Sequence, residues 1–529
     1  MTDTQADELM TSPFLHRRAF VAASGLCVAA PVLLVGCATS GRRSTENRGR
    51  ADAADLAFLN RVTWGADSAT VDAWSRSSRS DFIRAQLEPS RPIVLPAAVQ
   101  AQIDILSLHQ KPMTAWVVEM EQRRRDADAI ASDDAKKAAQ QAYQQDLNRL
   151  AREAAIETLL LALYSPHQLS EQLTWFWFNH FNVHQSKANL RAMVGDYQAD
   201  LRMHALGRFR DLLVASATHA AMIRYLDNEQ NSANRINENF AREVMELHTL
   251  GVDGGYSQKD VQEIARVLTG LGINLSDKRP NLSAAQRPLY VRRGATEFNP
   301  ARHDMSDKLV LGEHVAGRGW DEIVDTLDRL ARHPATARHV SRKLAVYFVA
   351  DQPPPALVER MSRAFVASDG RIAVVLRAMF DAPEFAPSLG RKFKDPMHYV
   401  VSAVRLAYDG RPILNAAPML GWLSRLGEGL FNRQTPDGYP LDEAAWSSSG
   451  QMTTRFEIAR IIGSGSAGMF KTDGPAPAEA PAFPQLSNAL FHATIAPTLG
   501  ARTRAALAAA GSPQEWNALV LSSPEFMYR

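Results

Sequence analysis

The sequence predicts a mainly α-helical protein, a large multi-helix globular body with at most a short β-hairpin. Apolar residues recur at helical spacing over most of the chain from residue 55 onward, and strand patterns are few. Of the 529 residues, 46% are hydrophobic, which is enough to build a sizeable core. These three observations exclude a disordered chain and favour a folded helical one.

Charge and cysteine content limit the classes of function. Lys and Arg total 59 and Asp and Glu total 57, which gives a formal net charge of +2. The chain therefore has no large overall positive charge that would attract nucleic acid. Cys27 and Cys37 are the two cysteines of the chain, and both precede the helical body. The body therefore holds neither a disulfide nor a thiolate metal site.

The first 37 residues have the pattern of a signal peptide with a lipobox. Arg17 and Arg18 precede an uncharged, largely apolar run over 21–35, which is too short for a full membrane span. The arginine pair, with Phe20 two places on, resembles the twin-arginine export signal, although His16 replaces the usual Ser or Thr. The general secretory route is the alternative.

Cys37 ends this segment in a sequence that resembles the bacterial lipobox. Small and apolar residues at 34–36 precede it, and its thiol is the expected acceptor of diacylglycerol. Ala38 follows, which by the same resemblance favours the outer membrane if the host has two membranes. More than one acyl chain on a cysteine suffices for stable anchoring. We expect a lipid-anchored cell-envelope protein with a polar tether over 38–54.

Helical periodicity is clearest over 113–164, where Tyr143, Leu147 and Leu150 share one face. This stretch ends before Pro166, because proline cannot continue a helix. A segment over 167–184 follows, and its many Trp and Phe side chains predict a buried helix. Further helices are predicted over 196–204, 219–226, 239–250, 258–269, 321–332, 335–349, 356–367, 372–380 and 398–408.

Strand patterns are confined to 288–292 and 308–312, which are predicted to pair as a short hairpin. We predict a single helical body over 55–529. If it comprises two subdomains, they meet near 275–320.

The most polar stretch of the body covers 227–248. On a helical wheel Asn239, Glu243 and Glu246 share one face, so two carboxylates project together as candidates for acid–base catalysis. The alternative is a solvent-facing surface on which Arg242 pairs with its acidic neighbours.

The start of this stretch resembles a calcium-binding loop. From Asp227 to Glu238, oxygen-bearing side chains occupy the first, third, fifth and twelfth positions, but Ser232 replaces the turn glycine. Asp227 and Glu238 are therefore candidate metal ligands. The alternative is an Asn-rich turn in which Asn237 caps the next helix.

Histidines supply further candidate ligands. His180 and His184 are four residues apart on a predicted helix, a spacing that can place two imidazoles on one metal. His303 and Asp304, in a proline-containing loop, are candidates for a further ligand or for a base held by its neighbour. The alternatives are buried histidines bonded to the backbone and an Asp-capped loop.

Several blocks of sequence together resemble a known family. They are residues 58–65, 176–181, 225–228, 237–243, 246–251, 256–270, 303–304 with 308, 333–338 with 343–344, and 436–440 near 446. Through them the chain resembles the bacterial domain-of-unknown-function family number 1800 over nearly everything after the tether. The resemblance implies an exported helical protein without an established activity. Members are often encoded beside a second exported family that resembles sulfatases and phosphatases, which implies a candidate partner.

Two hypotheses of function follow. The first is a metal-assisted hydrolase or related envelope enzyme, in which carboxylate ligands suit calcium or magnesium and histidine ligands suit zinc or manganese. The second is a non-catalytic surface scaffold or binding protein for an exported partner enzyme or a polysaccharide. The sequence contains no phosphate-cradling glycine loop and no Gly-x-Ser-x-Gly elbow.

Overall fold

The computed structural model describes residues 53–90, 92–276, 278–471 and 483–529. The predicted signal peptide, with Arg17, Arg18 and Cys37, and the tether up to residue 52 lie outside these residues. The described residues belong to one compact unit. Its first helix begins at Ala53, two residues before the predicted start of the body.

The predicted mainly helical fold is confirmed, because the described residues form 22 α-helices and two small antiparallel sheets. The first seven helices are α1 (Ala53–Val62), α2 (Ser68–Ser75), α3 (Arg79–Leu87), α4 (Ala97–Asp104), α5 (Met113–Ala129), α6 (Asp133–Tyr164) and α7 (Gln168–His180).

The long helix predicted over 113–164 is two helices, α5 and α6, which pack on each other. Ile130 leaves the helical backbone with a ψ of 127°. Asp133 and Asp134 then begin α6, where acidic side chains favour a helix N-terminus. The predicted apolar face of α6 packs against Trp116 of α5.

The centre of the chain contains shorter helices and a π-helix. They are α8 (Val194–His204), α9 (Phe209–Thr218), α10 (Ala220–Tyr225), α11 (Asn239–Glu243), the π-helix Val244–Thr249 and α12 (Gln258–Val267). In the π-helix the Leu250 amide donates to the carbonyl of Met245, five residues back, at 2.8 Å. The wider turn buries His248, whereas Leu247 is half buried.

Two sheets carry the strands that the structure describes. The first has the order β1 (Leu271–Ile273), β3 (Thr296–Phe298), β2 (Val291–Arg293), and the second pairs β4 (Lys308–Val310) with β5 (Glu313–Val315). The predicted pairing of 288–292 with 308–312 is wrong. Each segment pairs instead with the strand that follows it, through tight turns in which Gly294 and Gly312 adopt φ of 57° and 79°.

The remaining helices build the C-terminal half. They are α13 (Trp320–Arg332), α14 (Pro334–Phe348), α15 (Pro355–Ala367), α16 (Ile372–Phe380), α17 (Pro396–Tyr408), α18 (Ala417–Arg425), α19 (Ser449–Gly463), α20 (Ala489–Thr494), α21 (Ala501–Ala508) and α22 (Pro513–Ser522). Proline begins α14, α15, α17 and α22, a position at which its missing N–H costs no hydrogen bond. Within the described ranges, no helix has the length and apolar character that a membrane span requires.

Helix α7 lies in the core, and 12 of its 13 residues are buried, as its Trp and Phe side chains predict. The helix ends at His180 because Phe181 adopts a φ of −106° and a ψ of 52°. His184 therefore lies in the following loop, and the predicted helix that carries both histidines one turn apart is wrong.

Candidate functional site

Glu243 and Glu246 lie where α11 meets the π-helix, and both side chains are half buried. Neither carboxylate has a hydrogen bond or an ion pair with any residue that the structure describes. Burial and then the charge of Glu246 raise the pKa of Glu243, although Arg242 acts against them. Two close carboxylates without partners destabilise a fold, so this pair is the first candidate for a functional site.

A loop over 433–440 lies near the carboxylate pair and is held by residues at the end of α7. The Asn179 side-chain amide donates to the Tyr439 carbonyl at 2.9 Å, and its oxygen accepts from the Tyr439 amide at 2.6 Å. The Asn182 amide donates to two further carbonyls of the loop, both at 2.9 Å. These four hydrogen bonds fix the loop against the core.

Asp437 is the acidic side chain that this loop contributes. Its carboxylate accepts hydrogen bonds from the Thr435 hydroxyl and from the Arg433 guanidinium, the latter at 3.0 Å. Burial acts to raise the pKa of Asp437, but these hydrogen bonds outweigh it and hold the pKa below its ordinary value. Asp437 is thus a fixed negative charge, and this charge helps to raise the pKa of Glu243.

Tyr225, the last residue of α10, connects the loop to the carboxylate pair. Its hydroxyl donates to the Gln434 carbonyl at 2.7 Å. Burial raises the pKa of Tyr225, and the charges of Glu243 and Asp437 raise it further. The phenol therefore keeps its proton, which the loop carbonyl accepts as a hydrogen bond.

Lys343 of α14 supplies positive charge to the same region. Its side chain is half buried and makes no hydrogen bond or ion pair within the described ranges. Burial lowers the pKa of Lys343 to about 8, and the charge of Asp437 acts against this shift. The amine is a cation at neutral pH, but it releases its proton more readily than an ordinary lysine does.

Three histidines lie close to Lys343, of which His180 and His248 are buried and His339 is half buried. The ring centroid of His180 is 6.2 Å from that of His248 and 6.0 Å from that of His339. Burial and then the charge of Lys343 lower the pKa of all three, to about 3 for His248 and about 4 for His339. All three rings are therefore neutral at neutral pH. Among the described atoms, His180 Nδ1 and His248 Nε2 are buried without a hydrogen-bond partner.

The two acidic candidate ligands of the predicted calcium loop, Asp227 and Glu238, have cationic partners. Asp227 pairs with Lys187 at 2.8 Å, and Glu238 pairs with Arg242 at 3.3 Å. Asn237 accepts a hydrogen bond from the first amide of α11 at 3.0 Å, as the alternative of an Asn-rich turn implies.

His303 and Asp304 belong to a separate buried network. His303 Nδ1 lies 2.7 Å from the Thr269 carbonyl and Nε2 lies 3.1 Å from a carboxylate oxygen of Glu322. Asp304 pairs with Arg266 at 2.8 Å. In the part of the chain that the structure covers, no hydrogen bond or ion pair joins this network to the carboxylate pair.

The predicted metal ligands do not fit one ion. Asp227 and Glu238 are neutralised by cations, His180 is enclosed by aromatic rings, and His184 lies in the loop after α7. Across the described ranges, no group of three His, Cys, Asp or Glu side chains is arranged to hold a metal ion.

Sequence analysis missed five residues of the site, namely Tyr225, His248, His339, Lys343 and Asp437. Each lies in or directly after one of the blocks that carry the family resemblance. The blocks were thus the feature of the sequence that could have identified these residues, because they mark the segments that meet around the carboxylate pair.

The comparisons with known proteins agree with this resemblance. Residues 57–528 match the family described as "Protein of unknown function (DUF1800)". No curated protein matches the chain, and no solved structure does. Since the match covers nearly all of the helical body, the chain belongs to the DUF1800 family.

Proposed function

We propose that the chain is an exported, lipid-anchored cell-envelope enzyme that hydrolyses its substrate by general acid–base catalysis at Glu243 and Glu246. One observation carries the catalytic part: two half-buried carboxylates, adjacent on one helix, have no partner in the described part of the protein. Arg17, Arg18 and Cys37 support the envelope location from the sequence.

Glu243 is the proposed proton-transfer group. Its raised pKa brings the carboxyl group closer to neutral pH, as an acid or base that acts in both directions requires. In the proposed step Glu243 takes a proton from water while the water oxygen bonds to the electrophilic centre. The same proton then passes to the leaving group as its bond breaks. Glu246 keeps the pKa of Glu243 raised through its charge.

Lys343 is the proposed electrostatic group. A cation in a partly desolvated position stabilises negative charge that develops on the substrate more strongly than an exposed lysine does. Tyr225 and the three histidines have their protonation states held by burial, so they shape the site and do not exchange protons at neutral pH. No step is assigned to a metal, because the predicted ligands do not fit one ion.

The test uses full-length protein purified in detergent and four chromogenic substrates, p-nitrophenyl acetate, phosphate, sulfate and β-glucoside. Glu243→Gln is expected to lower kcat/KM at least ~100-fold, the usual contribution of a general acid or base. Glu246→Gln is expected to lower kcat/KM by a smaller factor, because it removes only a charge that raises the pKa of Glu243. Glu359→Gln is the matched control, since Glu359 is an exposed helical carboxylate that pairs with Arg363. Equal rates in all variants, or no turnover of any substrate by the wild type, contradict the proposal.

A binding role without turnover is the second candidate, and an apolar groove beside α19 and α22 favours it. The groove has a volume of about 960 Å³, is lined by Phe456, Ile461 and Leu519 among others, and leaves Phe456 42% exposed. Exposed apolar surface of this kind marks contact sites for other proteins. The test is to co-express the exported, sulfatase- or phosphatase-like protein that is encoded nearby. If the binding role holds, this protein co-purifies with the wild type and does not co-purify with the Phe456→Ser variant.

A further inference from the structure

A cavity remote in sequence from Glu243 and Glu246 lies between α1, α17 and α20. Its volume is about 180 Å³, and its polar lining includes Asn60, Lys394, Ser402 and Thr498. The volume admits a small ion or a short acid, and it is too small for a nucleotide or a sugar chain. The composition of its wall therefore decides what it can bind.

Lys394 contributes an amine without an acceptor to this wall. The residue is 6% exposed, and its Nζ makes no hydrogen bond or ion pair within the described ranges. The nitrogen lies 3.6 Å from the centroid of the Phe526 ring, a contact that offsets part of the cost of burial. Burial, and then the charges of Arg455 and Arg529, lower the pKa of Lys394 well below its ordinary value.

Three buried arginines in this part of the core have no ion pair with an Asp or Glu side chain that the structure describes. Arg61, Arg455 and Arg529 are at most 3% exposed. Their guanidinium groups donate mainly to main-chain oxygens, such as that of Lys394 at 2.7 Å, that of Tyr347 at 2.8 Å and, for Arg61, that of Arg529 at 2.6 Å. The Nε atom of each has no partner among the described atoms. Buried cations bonded mainly to main-chain oxygens leave a positive field in a medium of low dielectric.

The acidic side chains nearby reduce this field only in part, through the charge of Asp395, which acts on Arg455 and Arg529. Asp395 is bonded to His398 at 2.8 Å. Burial and then the charge of Asp395 raise the pKa of Glu428 well above its ordinary value. Glu525, at the cavity wall, accepts from the Gly500 amide at 2.6 Å. None of the three pairs with the Lys394 amine.

We propose that this cavity binds a small oxoanion, a carboxylate or a phosphate, with Lys394 as its counter-ion. Asn60 supplies a second donor, since its side-chain oxygen accepts from the Ala66 amide at 2.9 Å and its nitrogen has no acceptor in the described part of the chain. The bound anion neutralises the excess positive charge of the core. Binding therefore stabilises the folded protein, and it does not depend on the acid–base role of Glu243.

Thermal unfolding of the full-length protein in detergent tests this site. Sodium phosphate or sodium acetate replaces sodium chloride at constant ionic strength, so that general salt effects stay equal. At least one of the two anions is expected to give a saturable rise in Tm of ~1–3 °C in the wild type. Lys394→Met, which removes the charge and keeps an unbranched apolar side chain, is expected to abolish the rise. Lys259→Met, at an exposed position of α12, is expected to respond as the wild type does.

The two anions separate the possible ligands, because a response to acetate alone indicates a carboxylate and a response to phosphate alone indicates a phosphate. An equal rise in Lys394→Met overturns the proposal, and so does the lack of a saturable rise in the wild type. If Lys394→Met does not fold, calorimetric titration of the wild type decides. Proton uptake on anion binding is then expected, since a counter-ion raises the pKa of Lys394, and the absence of single-site binding overturns the proposal.

Discussion

Glu243 and Lys343 carry charges in surroundings that disfavour them. Burial raises the pKa of Glu243 and lowers the pKa of Lys343 to about 8, two opposite shifts with the same cause. Acidic groups such as Asp304 and Asp227 have ion-pair partners. Two charged groups without partners in one region lower the stability of a fold. Proteins retain such destabilising groups where function requires them.

The charge of Lys343 should therefore destabilise the folded protein at neutral pH. Below pH 8 the lysine is protonated in both states, so Lys343→Met is expected to raise the free energy of unfolding by ~1–2 kcal/mol, allowing for partial exposure. As the pH rises from about 8 toward the ordinary lysine value, the unfolded chain binds more protons than the folded one, and the wild type gains stability. The advantage of Lys343→Met should shrink over this range.

Denaturant unfolding of both proteins at several pH values between neutrality and the ordinary pKa of lysine measures this difference. Arg342→Met is the matched control, because Arg342 is exposed on the same helix and stays charged over the whole range. A constant difference between wild type and Lys343→Met contradicts the assignment of the shifted pKa to Lys343.

The carboxylate pair could be predicted from the sequence because Glu243 and Glu246 are neighbours on one helical segment, and short spacings determine which side chains project together. Lys343 and Asp437 could not be predicted. They are about a hundred and two hundred residues further along the chain, and their approach depends on how α14 and the loop over 433–440 pack. Local periodicity contains no information about that packing.

At the scale of helices and strands, the same limit explains the errors. The break between α5 and α6 was not predicted. Apolar residues recur at helical spacing in both helices, and only a short turn at Ile130 separates them. The sequence analysis did not predict the π-helix. A single widened turn shifts the buried face of the helix by one residue, and this shift places His248 in the core. The strands predicted over 288–292 and 308–312 lie at or near the observed strands. Their partners were predicted wrongly, because a tight turn pairs each strand with the one that follows it.

The loop over 433–440 depends on a glycine, and this gives a prediction at the same scale. Gly438 has a φ of 78°, and an added Cβ would lie 2.1 Å from the Asn179 carbonyl oxygen. Gly438→Ala is expected to destabilise the protein by ~2–4 kcal/mol through strain and displacement of the loop. It should also lower turnover, because Asp437 moves with the loop.

Gly468→Ala isolates the contribution of the backbone angle. Gly468 has a φ of 72°, and an added Cβ would meet nothing within 4 Å. This control is expected to lose only ~1 kcal/mol. Denaturant midpoints of the two variants measure the difference, and equal losses would show that the Asn179 contact does not hold the loop.

The whole molecule brings the proposed site together from distant segments. The end of α7, the end of α10, the π-helix, α14 and the loop over 433–440 each contribute. These segments are far apart in the sequence and lie within the range over which the chain matches its family, so the site depends on how they pack together. This also explains why blocks spread along the sequence identified the family, whereas no single short motif identified a reaction.

The proposed envelope location gives the last prediction, which concerns the anchoring of the whole molecule. Cys37→Ser removes the thiol that is expected to receive diacylglycerol, and with it the membrane affinity of the acyl chains, ~0.8 kcal/mol for each buried CH₂. Cells grown with radiolabelled palmitate should label the wild type and leave Cys37→Ser unlabelled. Cys27→Ser is the matched control, because Cys27 lies within the apolar run before the lipobox and should leave labelling unchanged. Palmitate incorporation into Cys37→Ser, or its absence from the wild type, would show that Cys37 is not the lipid anchor.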